Sequence, residues 1–138
     1  MIDLTSDFGK RAARRLMEEE IIWLTTTDRH GSPQPRPVWF LWDGETILIF
    51  SQPQAYKVSH IKYHARVALN LDSDDFGEDI VVIMGDATIS TSPVTEDEMM
   101  HYLEKYSRGL ERINFTAEEF KSSYNVAIRI TPIALRGN

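Results

Sequence analysis

Apolar and polar residues follow one another along the chain in short runs that are typical of β-strands. Six runs are rich in β-branched or aromatic residues and are bounded by turn-forming residues. We predict strands at Ile21–Thr27, Arg36–Trp42, Thr46–Ser51, Arg66–Leu71, Ile80–Thr91 and Asn125–Thr131. Ser92-Pro93 and Pro132 are expected to end the last two, because proline cannot donate a ladder hydrogen bond.

Helical patterns interrupt these strands instead of alternating with them. A first helix is predicted from Asp7 to Glu20, with Asp7 as its N-cap. Further helices are predicted after Pro53 and at two capping-box signatures, Thr95 with Glu98 and Thr116 with Glu119. This order of elements favours a mainly β class, a small antiparallel barrel with helical additions, as a single domain over residues 1–138.

Composition limits the partners of the chain. Its 138 residues include no cysteine, which excludes a disulfide framework and fits a cytoplasmic location. The charged N-terminus does not resemble a signal peptide, and the apolar runs are too short to span a membrane. The formal charge of −6 gives no general attraction to nucleic acid or anionic lipid, so neither is an expected partner.

The segment from Pro35 to Leu71 contains the strongest candidate site. Asp43-Gly44 predicts a tight hairpin, and Pro53 suits the first turn of the helix that carries Lys57. We expect Arg36, Ser51 and Lys57 to converge beside free backbone groups and to form a phosphate site. The alternatives are an edge strand protected by prolines and ordinary solvated charges.

The sequence contains no clear motif for a metal site or for a catalytic residue. His60 and His64 have a spacing that can bind a metal, but further ligands are lacking, so we expect no metal site. The acidic loop Asp72–Asp79 lacks the pattern of a calcium loop. Without a cysteine or a nucleophile elbow, no catalytic residue can be nominated.

Three sequence blocks, GSPQPRPVWFLWDG, ILIFSQPQAYKVSHIKYHARVALNL and IMGDATI, carry a resemblance to a known family. They resemble the pyridoxamine-5′-phosphate-oxidase-like, FMN-binding split-barrel superfamily, in particular its branch of deazaflavin (F420)-dependent oxidoreductases. The resemblance implies a six-stranded antiparallel split β-barrel that forms a homodimer with cofactor sites at the interface. It implies cofactor contacts at Arg36, Pro37, Val38, Trp39, Phe50, Ser51, Lys57 and, reaching the partner's site, Arg136.

The resemblance also implies a function. It implies an oxidoreductase that uses FMN or F420 to transfer hydride to or from a small organic substrate, with Lys62, Arg66 and the N-terminal arginines as candidates for the acidic tail of F420. Tyr56-Lys57 stands where pyridoxamine-phosphate oxidases have an Arg-Lys pair, and the residues with which those enzymes bind the substrate phosphate have no counterpart near the C-terminus, so oxidation of pyridoxamine phosphate is not expected. The alternatives are a non-catalytic flavin- or haem-binding storage or sensor protein and a structural dimer with an empty site.

Overall fold

The computed structural model describes residues 1–90 and 94–138. Its helices are α1 (Asp7–Glu18), α2 (Tyr56–Tyr63), α3 (Glu96–Lys105), α4 (Ser107–Arg112) and α5 (Ala117–Ser123). Its strands are β1 (Ile21–Thr27), β2 (Pro33–Trp39), β3 (Leu41–Trp42), β4 (Ile47–Ser51), β5 (Arg66–Asn70), β6 (Val81–Ser90) and β7 (Val126–Gly137). No helix within these residues has both the length and the apolar character needed to cross a membrane.

The strands form a seven-stranded sheet in the order β2-β1-β5-β6-β7-β4-β3, with every neighbouring pair antiparallel. β2 and β3 lie at opposite edges of this order, although only Phe40 separates them in sequence. The sheet must therefore curl until its two edges approach each other, which gives a split barrel. The predicted class, mainly β with an antiparallel split barrel and helical additions, is confirmed.

The strand predicted at Arg36–Trp42 is divided in two, so the count of six strands was one short. The backbone leaves the ladder at Phe40, whose amide donates to the hydroxyl of Tyr106 at 2.7 Å and whose carbonyl accepts from Lys105 Nζ at 2.9 Å. These two side chains replace the ladder hydrogen bonds that the break removes. The two side chains that bind Phe40 at the break are 65 and 66 residues further along the chain. A pattern of neighbouring residues could therefore not predict the break.

β2 is an edge strand and begins earlier than predicted, at Pro33. Its prolines, Pro33, Pro35 and Pro37, lie opposite alternate residues of β1. Successive residues of a strand point their N–H groups to opposite sides, so prolines two residues apart can all face outward without loss of a ladder hydrogen bond. The prolines therefore leave the β1–β2 ladder intact.

β7 does not end at Pro132, as predicted, but continues to Gly137. The register with β6 shifts between Met84 and Gly85, which face Ala134 and Pro132, so Ile133 is an extra residue on β7. Such a bulge can accommodate a proline that has no N–H for the ladder. On β6, the described strand ends at Ser90, and the predicted end at Thr91 with the Ser92-Pro93 stop lies outside the described residues.

The helix starts are local features. Ser6, and not Asp7 as predicted, caps α1, with its hydroxyl accepting from the amide of Gly9 at 3.0 Å. Both predicted capping boxes, at Thr95 and Thr116, are confirmed. The short helix α4 was not predicted, because its six residues carry no N-terminal capping side chain.

The hydrophobic core consists of two clusters, and strands of the sheet contribute residues to both. The first fills the barrel and includes Leu16, Ile22, Phe40 and Ile128. The second lies between β4, β7 and the helices α3–α5, and its buried members are Leu48, Phe50, Tyr102, Tyr106, Leu110, Phe120 and Ala127. This second, aromatic cluster places the helical segment beside the strand β2.

Candidate functional site

A polar groove of about 600 Å³ opens between β1, β2 and the first turns of α2. We call it the polar groove. Its lining residues are Thr26, Asp28, Gln34, Arg36, Pro37, Val38, Ala55, Tyr56, Lys57 and His60. Of the predicted contacts, the structure thus brings together Arg36, Pro37, Val38 and Lys57.

Two cations, Arg36 and Lys57, line this groove, and the charge of one acts on the other. Lys57 is half-buried, and loss of water, followed by the charge of Arg36, lowers the pKa of its ammonium group. Within residues 1–90 and 94–138, neither Arg36 nor Lys57 forms an ion pair with a carboxylate. Adjacent like charges without a counterion repel each other, and a bound anion would relieve that repulsion.

Asp28 lines the same groove, but its carboxylate is occupied by the β1–β2 turn. It accepts hydrogen bonds from the amides of His30 and Ser32, both at 2.9 Å, and from the side chain of Gln34 at 3.2 Å. These bonds, chiefly the one from Ser32, lower the pKa of Asp28. Asp28 therefore stays ionised within the turn, and the two cations, Arg36 and Lys57, leave the groove with a net positive charge.

Ser51 lies at the end of β4 and is fully buried. Its hydroxyl donates to the carbonyl of Gln52 at 2.9 Å, and it is not among the residues that line the polar groove. A phosphate contact from Ser51 would require this hydroxyl to turn away from Gln52. The predicted role of Ser51 stays a prediction.

An aromatic pocket of about 260 Å³ adjoins the polar groove and shares Pro37, Val38 and Lys57 with it. Its other lining residues are Trp39, Phe50, Tyr102, Ile113, Phe120 and Tyr124. The two predicted aromatic contacts, Trp39 and Phe50, thus lie in this pocket. Lys57 stands at the junction, with charge on one side and flat apolar walls on the other.

Close packing holds the aromatic walls in place. The ring of Trp39 stacks on Tyr106, with centroids 4.5 Å apart and planes 5° from parallel. Phe50 meets Tyr102 edge to face at 4.7 Å. On α4, Gly109 allows this arrangement, since a Cβ atom there would lie 2.8 Å from the Trp39 ring.

Arg136 is exposed near the end of β7, where it pairs with Val82. It is ten residues beyond Val126, the partner of Ser51 in the ladder, and it lines neither the polar groove nor the aromatic pocket. Within one chain, the structure therefore does not bring Arg136 to the other predicted contacts. Its contact with a partner's site stays a prediction.

The predicted set of cofactor contacts left out several residues that line the site. From β1 and α2 these are Thr26, Tyr56 and His60; from the helical segment they are Tyr102, Ile113, Phe120 and Tyr124. The capping boxes indicated where α3 and α5 begin, and the aromatic residues on them were visible. Which strand those helices would cover is a tertiary property that no spacing revealed.

Comparison with known proteins identifies a family whose model matches nearly the whole chain. The family model described as pyridoxamine 5′-phosphate oxidase matches residues 8–137. No protein with a curated description matches the chain in sequence.

Solved structures share the fold at low identity. An F420 reductase is 23% identical with a TM-score of 0.65, and the match covers 89% of this chain and 94% of that one. A FAD-binding protein from Mesorhizobium loti is 15% identical with a TM-score of 0.68, covering 91% and 90%. HutZ, the haem storage protein from Vibrio cholerae, is 14% identical with a TM-score of 0.61, covering 93% and 90%.

At these identities, the solved structures show a common fold and nothing about a ligand of this chain. The family model is different, because it extends from α1 to the end of β7 and so includes every element of the split barrel. The chain belongs to the pyridoxamine 5′-phosphate oxidase family.

Proposed function

We propose that the chain is an oxidoreductase that binds a flavin-type cofactor, FMN or F420, and transfers hydride to or from a small organic substrate. The supporting observation is the pair of adjacent cations, Arg36 and Lys57, at the mouth of an aromatic pocket. A phosphate group suits the cations, and a planar ring suits the aromatic walls. A cytoplasmic location stays a prediction from the absence of cysteine.

The residues of the site fit the parts of such a cofactor. Arg36 and Lys57 would hold the phosphate, while Trp39 and Phe50 would provide apolar surface near the ring. When bound, the cofactor supplies the hydride-transfer chemistry. The chain binds it, orients it and keeps water away from it.

The outer edge of β2 adds hydrogen-bond acceptors. The guanidinium of Arg36 donates to the carbonyl of Pro35 at 3.0 Å, so this carbonyl is not directed at β1. Carbonyls two residues apart on a strand point the same way, and the carbonyl of Pro37 is therefore expected to face outward too. Such acceptors would bind N–H groups on the polar edge of a flavin-type ring.

The choice between the two cofactors depends on the acidic tail that F420 carries. The basic residues predicted for that tail are largely paired: Arg66 lies 2.7 Å from Asp86, and Arg11 lies 3.3 Å from Asp79. Lys62 is exposed but does not line the polar groove. These ion pairs favour FMN, and titration of the protein with each cofactor decides between them.

We propose further that the cofactor binds at the interface of a homodimer. Ile113, at the edge of the aromatic pocket, is 45% exposed, and Tyr56, at the polar groove, is 82% exposed. Aromatic and aliphatic side chains beside an open site suit contact with a second chain. Sedimentation analysis should give twice the mass of one chain, and a monomer at all concentrations would contradict this part of the proposal.

The proposed cofactor site is tested by replacing Lys57 with alanine. Loss of a charge-assisted hydrogen bond to phosphate is expected to weaken FMN binding by about 1.5–3 kcal/mol, as measured by fluorescence titration. Lys62→Ala is the matched control, because Lys62 lies on the same helix, is exposed and lies outside the groove. If the wild-type protein binds neither FMN nor F420, the proposed function is wrong.

The alternative is a protein that stores or senses a flavin or haem without catalysis. The observation that supports haem as a ligand is the position of His60 in the polar groove, since a histidine can ligate haem iron. Replacement of both His60 and His64 should then change the absorbance spectrum of the haem-loaded protein. An unchanged spectrum would remove these two histidines as haem ligands, and turnover of bound flavin by an electron donor would exclude a storage role.

A further inference from the structure

His60 lies on the same face of α2 as the cationic part of the proposed site. It follows Lys57 by three residues and Tyr56 by four, spacings that place side chains next to each other on a helix. All three side chains line the polar groove, and the rings of Tyr56 and His60 are 6.4 Å apart with planes 16° from parallel. His64, one turn further on, is exposed and does not line the groove.

A buried threonine sets the orientation of this histidine. Thr26 on β1 is only 2% exposed, and its hydroxyl oxygen lies 2.8 Å from His60 Nδ1. A buried hydroxyl needs an acceptor for its proton. Among the described residues, His60 Nδ1 is the hydrogen-bond partner of the Thr26 side chain. When Thr26 donates to Nδ1, the proton of the neutral imidazole is on Nε2, at the opposite side of the ring.

We propose that His60, oriented by Thr26, is a third ligand of the phosphate group in the polar groove and donates through Nε2. This inference rests on the proposed function and adds a binding residue to the same site. The charged groups that face this position are Arg36, Lys57 and Asp28. The carboxylate of Asp28 accepts the hydrogen bonds of the turn and keeps its negative charge, so an anion in the groove meets two cations against one carboxylate, and His60 adds one N–H donor.

The chemistry favours a phosphate monoester for this set of donors. A phosphate monoester offers three terminal oxygens, and each can accept a charge-assisted hydrogen bond. Arginine, lysine and histidine side chains would then each donate to the group. Free phosphate has the same recognition chemistry, so the experiment must separate the cofactor from the bare anion.

The test compares FMN with riboflavin, which has the same ring and no phosphate. His60→Asn keeps a polar group near Nδ1 but removes the Nε2 donor, and it should weaken FMN binding roughly ten- to hundredfold. Riboflavin binding should not change. His60→Gln, whose amide reaches the position of Nε2, should retain most of the FMN affinity, and Thr26→Val should lose part of it. His64→Asn is the control on the same helix and should bind FMN like the wild type.

The outcomes separate this inference from the proposed function. Unchanged FMN binding by His60→Asn, with weaker binding by Lys57→Ala, would overturn the role of His60 and leave the flavin site intact. Equal weakening of FMN and riboflavin would also overturn it, because His60 would then act on the ring or on the fold. Thermal stabilisation by inorganic phosphate is the second readout. If phosphate stabilises the wild type more than His60→Asn while FMN fails to bind, the anion site stands and the flavin proposal fails.

Discussion

At the residue scale, Lys57 places a half-buried positive charge beside a second cation, Arg36. Lys57 lies in the first turn of α2, and its side chain lines the polar groove. Half-burial of its ammonium group, and the resulting lower pKa, depend on β2 and α2 packing together in three dimensions. The lowered pKa and the nearby guanidinium together support an anion as the missing partner.

Lys105 is a second lysine whose environment only the structure reveals. Its Nζ donates to the carbonyl of Phe40 at 2.9 Å and lies 3.8 Å from the centroid of the Phe40 ring. Loss of water lowers its pKa to about 8, against an ordinary value of 10.5, although Glu20 acts in the opposite direction. Below about pH 8, Lys105 is charged in the folded protein, and the loss of water around that charge lowers the stability of the fold.

The pH dependence of stability tests this assignment. Between pH 8 and 10.5, the unfolded chain keeps the Lys105 proton that the folded chain has lost, so the free energy of unfolding should rise with pH. Lys105→Met, which has no titratable group, should lack this contribution. Urea denaturation across that range should show wild-type stability increasing relative to the variant. A constant difference between them would contradict the lowered pKa.

At the scale of elements, Tyr106, the residue that follows α3, joins the helical segment to the barrel together with Lys105. The hydroxyl of Tyr106 accepts from the Phe40 amide at 2.7 Å and lies 2.7 Å and 2.8 Å from the carbonyls of Glu20 and Phe40. Burial raises the pKa of Tyr106, so the phenol stays neutral and can donate as well as accept. The break between β2 and β3 thus depends on a residue far away in sequence.

Removal of that hydroxyl should destabilise the fold. In Tyr106→Phe, the buried amide of Phe40 loses its partner, and an unsatisfied buried group costs about 1–3 kcal/mol. Chemical denaturation measures the loss, with Tyr63→Phe as the control, because Tyr63 is 65% exposed. Equal stability of the two variants would show that water can replace the Tyr106 hydroxyl.

The strands and capping boxes were predictable because their signals are local. A run of β-branched and aromatic residues marked β1, alternation of apolar and polar residues marked the first part of β7, and the capping boxes marked the starts of α3 and α5. The continuation of β7 through Pro132 was not predictable, since it requires the bulge opposite Gly85 on another strand. Proline ends a strand only where its N–H would have faced a partner.

At the scale of the whole molecule, Arg136 raises the question of which chain completes the site. It lies at the far end of β7 from the residue that pairs with Ser51, and it lines neither the groove nor the aromatic pocket. A contact with the cofactor would therefore come from the partner of a homodimer. The arrangement predicts that each site uses Lys57 of one chain and Arg136 of the other.

Mixed dimers test this prediction. Arg136→Ala alone should weaken FMN binding roughly tenfold, whereas Arg29→Ala in the exposed β1–β2 turn should not. In a dimer of one Lys57→Ala chain and one Arg136→Ala chain, one site has lost both groups and the other has kept both. FMN titration should then show half the sites at wild-type affinity. Absence of such sites would mean that Arg136 does not act across the interface.

Local signals in the sequence were enough to predict the class of fold, most of the strands, four of the five helices with their starts to within a few residues, and the segment that carries Arg36 and Lys57. These features follow from periodicity, turns and caps, which act between residues close in the chain. Three further features could be seen only in the folded chain: the burial of Ser51, the hydrogen bond between Thr26 and His60, and the closure of one side of the aromatic pocket by the segment α3–α5. Each of these depends on contacts between elements distant in sequence, because the curled sheet brings together residues that no local pattern relates.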